Sequence, residues 1–137
     1  MADFITAYNA TVKKWEGNYD TDPNDSGNWS TGVVNEGYIT GTKCGLTAQD
    51  LKKVYGHTPT AEEMQNLTQN QILNMYQSIY WAYMHGSEIN NQDLANQLFD
   101  IAVNEGEGAA LKLAKETVNE PGEMSFDELL VQKLNGQ

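Results

Sequence analysis

The sequence predicts a mainly α domain that carries a small β-hairpin wing at about residues 28–42, and three observations predict it. Apolar residues recur at helical spacing in several segments. Ser or Thr stands three residues before an acidic or amide side chain at four places, the pattern by which a helix start satisfies its free N–H groups. Between residues 18 and 45 the chain is instead rich in Gly, Asn, Asp and Ser, where Val33-Val34 and Tyr38-Ile39 flank Asn35-Glu36-Gly37 as a hairpin would. With 137 residues, 39% of them hydrophobic, one domain over 1–137 is expected, long enough to bury a core without disulfides or metals.

Taken in order, Phe4, Ile5, Tyr8, Val12 and Trp15 fall on one side of a helical wheel and Thr6, Lys13 and Lys14 on the other. A first helix over Asp3–Glu16 is expected, with Gly17 at its end. The wing follows. Thr47/Asp50, Thr60/Glu63, Thr68/Gln71 and Ser125/Glu128 then mark helix starts, and Gly56, Gly106 and Gly136 mark stops. Ile72, Leu73, Met75, Tyr76, Ile79 and Tyr80 form one apolar face; Leu94, Ala95, Leu98, Phe99, Ala102 and Val103 form another. Pro121-Gly122 separates a last helix, Phe126–Leu134.

Composition excludes several classes. Eight Lys and Arg against nineteen Asp and Glu give a net charge of -11, which argues against nucleic acid, because phosphate binding needs clustered cations. Cys44 is the only cysteine, so no internal disulfide can form. No segment approaches membrane-spanning length and no basic region precedes an apolar run. A protein made in the cytoplasm without a signal peptide, monomeric and without a membrane partner, is expected. Asp20, Asp22 and Asn24 alternate like the start of a calcium loop, but Asp25 stands where Gly is needed and Thr31 where Glu is needed. His57 and His85 belong to no ligand-spaced motif. No metal and no cofactor are expected.

Glu16 is the residue whose position suggests chemistry. At 100° per residue it lies about 20° from Ile5 and about 40° from Val12, at the border of the apolar stripe. Partial burial and the negative end of the helix dipole both disfavour the carboxylate, so its pKa is expected to rise. A carboxyl group that keeps its proton near neutrality can donate it to a glycosidic oxygen. On wheel position alone, a partly solvated boundary residue paired with Lys13 or a loop donor is the more ordinary outcome.

The text after Glu16 adds to this. It reads Glu16-Gly17-Asn18-Tyr19, then Asp22-Pro23-Asn24-Asp25-Ser26-Gly27-Asn28-Trp29, then Gly41-Thr42-Lys43-Cys44-Gly45-Leu46-Thr47. Leu67-Thr68, Tyr76, Tyr80-Trp81 and Phe99-Asp100-Ile101-Ala102-Val103-Asn104 follow. Over roughly residues 4 to 110 this order of motifs resembles glycoside hydrolase family 108, N-acetylmuramidases of phage lysis proteins and bacterial secretion loci. Several linked motifs in order are far more specific than any one alone. The resemblance implies a lysozyme-like α+β fold and hydrolysis of the β-1,4 bond between N-acetylmuramic acid and N-acetylglucosamine in peptidoglycan glycan strands, with Glu16 as the essential acid. It also implies that Tyr19, Asp25, Trp29, Thr42, Tyr80, Trp81, Asp100 and Asn104 line or brace the cleft.

Each of these has a structural alternative. Tyr80 and Trp81 continue an apolar face and suit a core, although aromatic faces also suit a pyranose. Asp100 and Asn104, one turn apart, could brace each other. Asp22 and Asp25 flank a proline in a turn, where Asp bonds its own backbone. Among Asp22, Asp25 and Glu36 as the second carboxylate, Asp25 is preferred, in an inverting mechanism. Asn18 and Cys44 depart from the family's Gly and aromatic residue. A complete C-terminal wall-binding module is not expected. The contrasting reading is a catalytically inactive lysozyme-like protein that binds wall fragments or serves a phage particle as a structural or interaction component. Under the enzymatic reading, the site of action is the bacterial cell wall, reached after release, as in cytolysis by a bacteriophage endolysin.

Overall fold

The computed structural model describes residues 1–13, 18–120 and 125–136. Packing gathers into two compact units, Met1–Lys14 with Tyr80–Gln137, and Trp15–Ile79.

In the first unit, helix α1 spans Phe4–Thr11, started by Asp3, whose side chain accepts the Thr6 N–H at 2.9 Å. The helix is shorter than the expected Asp3–Glu16 span, and Glu16 and Gly17 lie outside the described residues. Its buried face is Phe4, Ala7, Tyr8 and Thr11, an i, i+3, i+4, i+7 stripe. Ile5, expected on that face, sits about 100° from Phe4 and is 46% exposed. The stripe packs against α5, Gln92–Glu105, which buries Ala95, Leu98, Phe99 and Ala102. Gly106, at φ +102°, breaks the chain between α5 and α6, Glu107–Thr117, and the two helices pack together. Helix α7, Glu128–Asn135, packs on α6 and starts later than the expected Phe126. Its cap is Asp127, which accepts the Leu130 N–H at 3.1 Å, rather than Ser125. A carboxylate next to the first turn is a charged acceptor and displaces the hydroxyl two residues upstream.

In the second unit, β1, Tyr19–Asp20, pairs antiparallel with β2, Thr42–Lys43, in the register Tyr19 to Lys43 and Asp20 to Thr42. The expected ladder between Val33-Val34 and Tyr38-Ile39 does not form. Gly32, Asn35 and Gly37 all take positive φ, which breaks any extended run there, and Val33 and Val34 are left exposed. One bridge, Trp29 to Ile39, and the Ser30 N–H donated to the Tyr38 carbonyl at 2.8 Å close the wing. Helices α2, Ala48–Tyr55, α3, Ala61–Gln65, and α4, Gln69–Tyr76, each begin with the reciprocal box read from sequence, at Thr47/Asp50, Thr60/Glu63 and Thr68/Gln71. Leu46, Ala48, Leu51, Met64, Ile72, Met75 and Tyr76 are buried in this unit. A π-helical turn, Gln77–Trp81, follows α4. Among the described residues no helix is long and apolar enough to cross a membrane.

Candidate functional site

The second unit gathers Tyr19, Asp25, Trp29 and Thr42 around one residue, Asn28, which is fully buried. Asp22-Pro23-Asn24-Asp25 turns tightly. Asp22 accepts the Asn24 N–H at 3.0 Å and Asp25 accepts the Gly27 N–H at 3.0 Å, each bonding its own backbone two residues on. Asp25 thereby caps the single 3-10 turn Ser26–Asn28 and stays exposed, and its second oxygen takes no hydrogen bond from the described residues. This is the structural alternative read from the sequence.

Asn28 then ties the turn to the sheet. Its Nδ2 donates to Asp20 Oδ2 at 2.9 Å and to the Asp22 carbonyl at 3.0 Å, while its Oδ1 accepts from Thr42 Oγ1. Its own carbonyl accepts the Thr40 and Gly41 N–H groups at 2.9 and 3.1 Å. The amide of Asn28, followed by the Asp22 N–H, holds the Asp20 carboxyl below the usual carboxylate range. Asp20 is therefore an anion near neutral pH and unsuited to donate a proton.

The other candidates in this unit brace the same frame. The Tyr19 hydroxyl donates to the Thr40 carbonyl at 2.8 Å, and its ring lies over Gly41. The Trp29 indole N–H donates to the Pro23 carbonyl at 2.9 Å, and the Trp29 carbonyl accepts from Gln49 Nε2 at 3.1 Å. Tyr19, Trp29 and Thr42 are half-buried. Each keeps a partly open surface, but their polar atoms are engaged within the frame.

In the first unit, Trp81 is not a sugar platform. It is 2% exposed, stacks edge-on against Phe99 and tilts against Phe4 with ring centroids 5.8 Å away in both cases, and donates its indole N–H to Ser87 Oγ at 2.9 Å. Gly86 lies so close that a Cβ there would fall 2.3 Å from the indole. Phe4, Trp81 and Phe99 form an aromatic core in which the ring faces and edges are taken up by one another. Tyr80 is half-buried. Asp100 and Asn104 form a pair on α5, with Asn104 Nδ2 donating to Asp100 Oδ1 at 2.8 Å and to its carbonyl at 2.9 Å. Among the described residues no group of three or more His, Cys, Asp or Glu could hold a metal ion.

Sequence reasoning did not single out Asn28. Nothing local distinguishes a buried Asn from a turn Asn, since three of its partners lie twelve or more residues away. The only signal was its place just before Trp29 in the motif.

No curated protein matches this chain. Among solved structures it is similar to that of Brucella abortus SagA, at 21% identity over 98% of this chain and 69% of that chain, with a TM-score of 0.75. That likeness speaks to the fold, which is lysozyme-like α+β. The family described as Glycosyl hydrolase 108 matches residues 9–106, a span that holds Glu16, the wing, the three boxed helices and both Asp100 and Asn104. With well over half of its length matched, this chain belongs to glycosyl hydrolase family 108.

Proposed function

We propose that this glycoside hydrolase acts on peptidoglycan and cleaves the β-1,4 bond between N-acetylmuramic acid and N-acetylglucosamine, with Glu16 protonating the leaving oxygen. The observation that carries the reading is the family match over 9–106, which contains Glu16-Gly17-Asn18-Tyr19 and the Asp22–Trp29 motif in order. Asp25 is the second carboxylate we assign. It stands exposed on a turn whose backbone is tied down, and a solvent-facing carboxylate suits activation of a water in an inverting reaction. Tyr19, Trp29 and Thr42 hold that turn in place and present their open surfaces to the glycan. The enzyme is made in the cytoplasm and works as a monomer at the cell wall after release.

The test is clearing of purified peptidoglycan by wild type and Glu16→Gln, with mass analysis of the fragments. Wild type is expected to release fragments ending in reducing muramic acid, and Glu16→Gln to be slower by roughly 10²–10⁴-fold, the scale of a lost general acid. Equal rates would remove Glu16 from the mechanism. Binding of glycan without cleavage by wild type would instead favour a wall-binding or phage structural protein on the same scaffold.

A further inference from the structure

We infer that Asn28 is the positioning residue of this site, clamping the Asp20–Asp25 turn to the Thr42 strand so that Asp25 keeps a fixed place. The role assigned to Asp25 rests on the function proposed above; the clamp itself rests on geometry alone.

A neutral carboxamide offers one acceptor oxygen and two N–H donors. All three are used here, on Thr42 Oγ1, Asp20 Oδ2 and the Asp22 carbonyl, within a fully buried side chain. The partners fix the orientation, because a flipped amide would aim its oxygen at the Asp20 carboxylate and the Asp22 carbonyl, which can only accept. The backbone closes the same loop: the Asn28 N–H donates to the Asp25 carbonyl at 3.1 Å, and the Asp25 N–H donates to the Asp22 carbonyl at 3.1 Å. The Asp22 carbonyl is therefore held from two sides, and Asp25 cannot shift without breaking a bond that Asn28 makes.

No other side chain serves. Ala or Ser is too short to reach Asp20 and Thr42 together. Gln is too long for a site with no exposed surface. Asp has the right shape, but it lacks donors and would place a second carboxylate about 3 Å from Asp20, where the two must share a proton. Other charges on the surrounding elements are Asp22 and Asp25 in the turn, Lys43 on β2, and Asp50 of α2, whose carboxylate is occupied by Thr47. None of them supplies the missing donor.

The experiment compares wild type, Asn28→Ala and Asn28→Asp, with folding checked by circular dichroism at each pH. Amide hydrogen exchange reads the clamp without any need for activity. Gly27, Asn28, Thr40 and Gly41 are expected to exchange at least about tenfold faster in Asn28→Ala, with α2 amides unchanged. In peptidoglycan hydrolysis, kcat is expected to fall while KM stays within about twofold, the signature of a lost transition-state geometry. Asn28→Asp is expected to recover exchange protection and kcat as pH falls and the shared proton restores a donor. Wild-type exchange in Asn28→Ala would overturn the clamp, and a raised KM with unchanged kcat would make Asn28 a substrate contact. If Asn28→Ala does not fold, the pH response of Asn28→Asp decides alone. If wild type cleaves nothing, the proposed function fails, and the exchange data still decide the clamp.

Discussion

Gly41 shows how closely single positions are fitted in the second unit. Its φ is +81°, and a Cβ there would fall 2.6 Å from Cε1, Cζ and Oη of Tyr19. Gly56, the C-cap of α2, has the same φ of +81° with open space around it. The two glycines therefore separate backbone strain from a steric clash. Gly56→Ala is expected to cost only the left-handed strain, about 1–2 kcal/mol. Gly41→Ala is expected to cost about 2–5 kcal/mol, because the Tyr19 ring must also give way. Urea denaturation of the two variants checks this, and equal losses would mean that Tyr19 moves aside freely. If Gly41→Ala also breaks the bond from the Tyr19 hydroxyl to Thr40, the strand pairing of Tyr19 with Lys43 goes with it. Residue identity alone hinted at Gly41 through the Gly41-Thr42-Lys43 motif, but the aromatic ring that demands the glycine is 22 positions away. Trp81 teaches the reverse. Its place on an apolar face was visible, and its burial against Phe4 and Phe99 follows from packing that a residue-by-residue reading does not contain.

At the scale of elements, what was readable is what is local. Thr47, Thr60 and Thr68 each bond the residue three positions on, so the pattern in the chain and the bond in space are the same fact. The strand pairing was not readable, because Asp20 meets Thr42 across 22 residues and two-residue strands carry no periodicity. The wing misled for a physical reason too. The strand-forming pairs Val33-Val34 and Tyr38-Ile39 around Asn-Glu-Gly resemble a hairpin, yet three positive-φ residues between 32 and 37 turn that stretch into successive bends. Ser125 and Glu128 fit the box pattern by spacing alone, while Asp127 holds the Leu130 N–H. Replacing each in turn distinguishes them. Asp127→Ala is expected to lower stability by about 1 kcal/mol, the usual loss for a helix cap. Ser125→Ala, which among the described residues removes a 3.3 Å contact to Asp127 at the surface, is expected to stay within about 0.5 kcal/mol of wild type. Thermal melts of the two variants read the difference, and the opposite ranking would return the helix start to Ser125.

For the molecule as a whole, charge is the property that most constrains the proposed activity. With nineteen acidic and eight basic residues the chain carries -11 at pH 7, while peptidoglycan and its attached polymers are largely anionic. Long-range repulsion should slow encounter with an intact wall and leave the chemistry at the bond untouched. Salt separates these effects, since the screening length falls from about 30 Å at 0.01 M to about 10 Å at 0.1 M ionic strength. Hydrolysis of whole walls is therefore expected to speed up over that range, most visibly in kcat/KM, whereas short soluble oligomers of alternating N-acetylglucosamine and N-acetylmuramic acid, which carry few charges, are expected to respond less. The short substrate is the internal control. If both rates fell together with salt, a local ion pair in the site would be at work rather than the field of the whole protein. If only the wall rate fell, some cationic surface would be drawing the enzyme to its substrate in spite of the net charge. The expected rise has a further consequence for the proposed activity: with long-range attraction absent, affinity must come from short-range contacts, the part that the proposed function gives to half-buried aromatic surfaces such as Tyr19 and Trp29 and to the frame that presents them.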